Sequence, residues 1–182
     1  MAVKIREAER PSSLPEWIDR AITLAASAIS IAALCVMFLA LCGEVIVRYV
    51  TKSSLGWPTE LPSFMFPWLV MSGIVLAAQH GAHISVTLLL SKIGRGAQRN
   101  LLLGMQIVAA LTFFYLAWLG IEVLRVTSSE YYPVTGVSAL WAYLALVVGF
   151  VALGITALTT FARLRAADDP LSVRAHDPEE EL

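Results

Sequence analysis

Charge is what this chain has least of. Asp, Glu, Lys and Arg make up 15% of its 182 residues, against roughly 25% in soluble domains, and the mean hydropathy is +0.72. That composition excludes an ordinary water-soluble domain. Cysteine is nearly missing as well. Cys35 and Cys42 are the two present; seven residues apart on one helix, they share a face but cannot bridge, and they read as small apolar fillers. With no CxxC pair and no heme-attachment spacing, neither a disulfide scaffold nor a tethered heme is expected. A phosphate-cradling glycine loop, a nucleophile beside a base and a basic patch for nucleic acid are also missing. So is the repeated half that stand-alone transporters build around a midplane site. The expectation is therefore no enzyme, no cofactor and no nucleic-acid partner.

What the sequence has instead is long uncharged runs. Ala21–Gly43, Leu61–Ala78, Leu101–Ile121 and Leu140–Ala162 are each long enough to cross a bilayer, which takes roughly 20 apolar residues. The pattern predicts an all-α membrane protein with four tilted transmembrane helices, over 14–50, 60–80, 100–125 and 138–163, within one domain at 13–165. Residues 1–12 read as a flexible N-terminus, and 166–182, ending in Glu179-Glu180-Glu181, as a disordered acidic tail. The first run is longer than a signal-peptide core, so it reads as a span. From the capping-box form Ser13-Leu14-Pro15-Glu16 to Val50, helix 1 would reach roughly 55 Å. It must tilt, project into water, or begin as an amphipathic lead-in on the membrane. Pro67 should kink helix 2. Between helices 2 and 3, Val86, Leu89, Leu90 and Ile93 line one side of a basic amphipathic segment over 84–97, ended by Gly94 and Gly96 and expected to lie at the membrane surface.

Basic residues divide unevenly. Ten precede helix 1, lie between helices 2 and 3, or follow helix 4; three (Arg48, Lys52 and Arg125) lie on the other side. The positive-inside rule then puts both termini in the cytoplasm. Trp17, Lys92, Arg95, Arg99 and Trp141 fall where lipid-interface anchors belong.

A few polar residues stand at defined depths. Glu44 and Arg48 are spaced i, i+4, acid first; either they pair with each other or they contact a partner. Glu122 and Arg125 form a similar pair at the end of helix 3. Glu60 opens helix 2, where the helix dipole favours an acid. His80 and His83 close that helix without the further ligands a metal site needs, so they read as structural hydrogen-bonding groups on the cytoplasmic side. Gly73, Ala77 and Gly81 make a small-residue stripe suited to close helix approach, whether within the chain or between subunits.

These residues resemble the small membrane subunit (DctQ-like) of tripartite ATP-independent periplasmic (TRAP) transporters. The resemblance is carried by Arg48-Tyr49, Trp57 with Glu60-Leu61, Phe66, Trp68, Leu76-Ala77, the run Gly81-Ala82-His83-Ile84-x-Val86, and Val137-Ser138-x-Leu140-Trp141-x-Tyr143. Thr59 and Thr87 stand where many members carry an acid, and Gln79 and His80 near where a base is common. The resemblance implies a bacterial inner-membrane system in which a periplasmic solute-binding protein delivers an organic acid. A large membrane subunit holds the substrate and ion sites, an ion gradient (usually sodium) drives uptake without ATP, and the small subunit braces the large one. Glu44, Arg48, Trp57, Glu60, Trp68, Gly73 and Ala77 are the residues expected to face these partners; membrane lipids surround the rest. A stand-alone four-helix transporter and a heme-bearing redox anchor are the rival readings.

Overall fold

α1 begins at Leu14 and runs unbroken to Thr51, 38 residues, roughly 57 Å at 1.5 Å per residue. The lead-in and the span are thus one rod, longer than the ~30 Å hydrocarbon core, and tilt or projection follows from its length. The computed structural model describes residues 14–79 and 95–166. The other helices are α2 (Trp57–Gln79), α3 (Arg95–Thr127) and α4 (Leu140–Ala166). All four are long and apolar enough to span a membrane, and the described residues form no strand beyond one isolated bridge between Tyr131 and Ser138. The chain is an all-α, multi-pass membrane protein.

Local chemistry sets the ends of these helices. α1 closes on Lys52, in the left-handed region at φ 55°, whose N–H donates to the Arg48 carbonyl at 3.0 Å. Gly56, at φ 78°, then turns the chain into α2, a conformation in which glycine meets no Cβ clash. Pro62 and Pro67 both lie inside the continuous α2. α3 opens at Arg95, ahead of the Asn100 expected from the two glycines, so Gly96 falls in its first turn. Of the surface segment expected over 84–97, residues 84–94 lie outside the described residues, and 95–97 belong to α3. His80, His83, Lys92, residues 1–12 and the tail from 167 also lie outside them. Ser138 caps α4: its hydroxyl accepts the Leu140 N–H at 3.2 Å.

α4 is the central element. In its most apolar stretch 44% of residues are buried, against 11% in α3, so α4 is packed from several sides while α3 stands at the edge. α3 packs extensively only on α4, α2 packs on α4 and α1, and α1 touches α4 more lightly. Glycines on α4 make this possible. A Cβ at Gly149 would sit 2.3 Å from Cε and 3.0 Å from Cβ of Met71 on α2; one at Gly154 would sit 3.0 Å from the ring of Phe114 on α3. Ala26, Met71, Val75 and Leu153 form the core where α1, α2 and α4 meet. Gly73, by contrast, has nothing within 4 Å of where its Cβ would be, and it is exposed together with Ala77. Among the described residues, the small-residue stripe of α2 therefore meets nothing closely at Gly73 and leaves Ala77 exposed.

Gly149→Ala should destabilise the isolated chain, by about 1–3 kcal/mol for an overpacked core site, whereas Gly73→Ala should not. Thermal unfolding in mild detergent checks the pair; equal effects at the two sites would contradict the packing described.

Candidate functional site

No hydrocarbon neighbour can hydrogen-bond a carboxylate, so each acid within these helices must find donors in the protein. Two clusters result, one at each end of the fold.

At the loop end, Glu44 is buried, 6% exposed. It does not pair with Arg48. Its carboxylate accepts the Ser54 hydroxyl at 2.5 Å and the Leu55 N–H at 3.1 Å, tying the α1–α2 loop back onto α1. The loop offers a hydroxyl and a backbone N–H on the buried side of the helix, whereas Arg48 is exposed and makes no ion pair among the described residues. Glu60 reaches further than a cap. It accepts the Val134 N–H at 3.0 Å, and the Thr135 N–H at 2.8 Å and hydroxyl at 2.9 Å, so the start of α2 grips the α3–α4 loop. That loop is held in a tight reversal by Tyr132 N–H to Val137 carbonyl and Gly136 N–H to Tyr132 carbonyl, both 2.9 Å. The two loops touch where Gly56 meets Val134: a Cβ on Gly56 would lie 3.3 Å from the valine methyl. Glu44 and Glu60 thus belong to one clasp, reached through the loops between them. The Tyr132 ring lies against Phe64, centroids 5.7 Å apart and planes tilted by 47°. Burial pushes its phenol above the ordinary range, with smaller electrostatic contributions from Tyr143 and Glu60.

Beside the clasp, the Trp68 indole N–H donates to the Trp141 carbonyl at 3.0 Å, joining α2 to α4. Phe64, Met65, Trp68, Val137 and Trp141 line a shallow apolar cleft of about 280 Å³ there. Trp57 is 46% exposed. Glu122 and Arg125 pair with each other at 3.0 Å, well exposed.

At the other end lies a cluster that the sequence pattern did not reveal. Asp19, 6% exposed, faces Arg163 of α4 at 2.8 Å (Oδ2 to Nη2). Its other oxygen accepts the Thr159 hydroxyl at 2.6 Å and the Gln79 amide at 3.5 Å. Gln79 also donates to the Thr156 hydroxyl at 2.8 Å, and Arg163 reaches the Pro15 carbonyl at 3.5 Å. Three helices meet in this knot. The arginine already neutralises the carboxylate, which makes the knot a closed ion pair and a poor cation site. Counting the basic residues that follow helix 4 only as positive-inside charge hid it. The available signal was an acid, Asp19, two residues before an apolar run, on the same face as Ala26, Ala33 and Met37. Midway along α1, Ser30 and Ser72 share a hydrogen bond at 2.6 Å.

Of the expected anchors, Trp17 and Trp141 keep their rings exposed, Arg99 donates to the Arg165 carbonyl, and Arg95 opens α3. Among the described residues no three His, Cys, Asp or Glu side chains converge as a metal site would require.

A family model described as "Tripartite ATP-independent periplasmic transporters, DctQ component" matches residues 37–167. The uncharacterized protein y4mM of Sinorhizobium fredii is 30% identical over 154 residues, 84% of this chain and 28% of that protein. A Haemophilus influenzae protein whose name proposes it as a TRAP transporter small permease is 23% identical over 138 residues, 76% of this chain and 81% of that one. A second Haemophilus influenzae protein of the same name is 31% identical over 86 residues, 44% of this chain and 48% of its own length. The chain thus spans about a quarter of the first relative's length and most of the second's.

The two acids of the clasp hold different loops, which separates their effects. Glu60→Gln should lose amide-exchange protection at Val134 and Thr135 while Leu55 keeps its own; Glu44→Gln should do the reverse. Hydrogen–deuterium exchange read residue by residue would contradict the clasp if both variants loosened the same amides.

Proposed function

The chain belongs to the DctQ component family of tripartite ATP-independent periplasmic transporters, and on that premise we propose that it is the small accessory subunit of a secondary transporter in the bacterial inner membrane. In this reading it braces a large membrane subunit, which moves an organic acid delivered by a periplasmic solute-binding protein, with an ion gradient, sodium by preference, as the driving force. Both termini, with the Asp19 knot, face the cytoplasm, and the clasp faces the periplasm; the ten-to-three division of basic residues supports that orientation.

The observation that carries the bracing role is the division of labour among helix faces. The contact side of α1 carries Asp19, Ala26, Ala33, Met37 and Glu44, all buried. Its far side carries Ala21, Ala25, Ala28, Ala32 and Cys35, all exposed. On α2 the exposed Gly73 and Ala77 do the same. Small residues at helical spacing let another helix approach closely within a bilayer, where packing and not the hydrophobic effect drives association. In the described residues the buried polar groups are turned inward, onto the protein's own helices and loops, which suits a body that supports rather than one that carries cargo. Arg48 and Trp57, exposed beside the clasp, are the groups placed to meet the large subunit or the binding protein.

Ala28→Leu and Gly73→Leu should lower recovery of a co-expressed large TRAP subunit in mild-detergent pull-down several-fold, while the purified chain melts as before. Arg48→Ala should reduce solute uptake by the assembled system. Vesicles holding this chain alone should take up no organic acid; accumulation there would sink the accessory reading.

A further inference from the structure

The apolar contact face of α1 is nearly periodic. The buried Ala26 and Ala33 and the half-buried Ala40 repeat every seven residues, with Met37 the one larger buried apolar side chain on the face, so a slide of α1 by seven places would put one alanine where another had been. Packing of this kind holds a helix without fixing its position. Polar pegs break the degeneracy, because a slide strands them. α1 has three on this face, and they are unequal. Among the described residues Glu44 binds Ser54 and Leu55, in the loop that follows α1, so it ties α1 to its own loop and not to a distant helix. Ser30 makes a neutral bond to Ser72, which itself also donates to the Trp68 carbonyl at 2.6 Å. Asp19 alone joins α1 to a distant helix by charge: among the described residues its bond to Arg163 is the one ion pair between helices. It is also the peg that engages α2 and α4 together, through Gln79 and Thr159.

We propose that Asp19 and Arg163 are a positioning pair that sets the depth and rotation of α1 against α2 and α4. Without the pair, the alanine face accepts more than one register. With it, the far side of α1, lined by Ala21, Ala25, Ala28 and Ala32, is held in one place. The consequence for assembly rests on the accessory reading above: a neighbour that packs on α1 meets a face whose position is set by this bond.

The test uses the full chain in a Cys35→Ser, Cys42→Ser background, with spin labels at Leu24→Cys on α1 and Val126→Cys on α3. Both sites are exposed, at 65% and 74%. The parent and Arg163→Lys, which keeps the charge, should give one narrow distance. Asp19→Asn and Arg163→Gln should broaden it, with a second population displaced by up to about 10 Å, the span of seven residues at 1.5 Å each. Ser30→Ala, which removes the neutral peg, should leave it narrow. Unchanged distances in Asp19→Asn and Arg163→Gln, or equal broadening in Ser30→Ala, would overturn the proposal. If Arg163→Gln does not purify as one species, the isosteric Asp19→Asn decides alone. Co-recovery of the large TRAP subunit is read in parallel and should fall several-fold in Asp19→Asn and persist in Arg163→Lys. Broadened distances with full co-recovery would uphold the pair and overturn the link to assembly.

Discussion

A carboxylate withdrawn from water must be matched by donors, and between apolar helices the only donors are those the protein brings. Asp19 and Glu44 stand near the two ends of one face of α1, both buried, and much of the tertiary structure can be read as their satisfaction. Glu44 draws the α1–α2 loop onto the helix that precedes it. Asp19 draws in α4 and α2. The magnitudes explain why these contacts dominate. Helix-to-helix hydrogen bonds in membranes are worth about 0.6–2 kcal/mol, whereas removing one partner from a buried charge pair costs about 3–5 kcal/mol. Apolar packing supplies cohesion, and the acids decide which cohesive arrangement is adopted.

Packing determines the rest. Lipid tails are as apolar as leucine, so helices associate where backbones can come close. α4 presents Gly149 to Met71 and Gly154 to Phe114 and gathers α2 and α3 on different sides. α3 packs extensively only on that one helix and stands at the edge. α1, held at one end by a charge and along its length by alanines, sends its other small residues outward. The surface of such a protein is therefore made of faces suited to a further helix.

How much of this the sequence disclosed depends on the range over which each signal acts. The spans were legible because hydropathy is a property of a continuous run, and the family because its motifs lie on short stretches such as Trp57 to Leu61. Glu44 and Arg48 suggested a local pair because i, i+4 spacing is the signal a reader can see. The structure prefers Ser54 and Leu55, whose donors became available only once the chain had turned at Lys52. Glu60 looked like a dipole-favoured cap, and its real partners lie 74 and 75 residues on. Asp19 and Thr159 are 140 apart. No periodicity links such residues, and only the packing of α1 antiparallel to α2 and α4 brings them together. The stripe at Gly73 and Ala77 was legible as a packing surface, but which side it served depended on where Met71 and Ser72 turned the helix.

A part that supports a moving neighbour should have one arrangement, not two. Conformational switching needs an alternative set of partners for each group that changes hands. Here Asp19 has a guanidinium, a hydroxyl and an amide; Glu44 has a hydroxyl and an amide N–H; Glu60 has two N–H groups and a hydroxyl. Any second arrangement of α1 or of either loop would have to leave one of these carboxylates without its donors, and Asp19 and Glu44 are buried where water is scarce. The same satisfaction that closes the fold therefore also stiffens it, and a stiff four-helix body with small-residue faces turned outward is what the proposed bracing role requires.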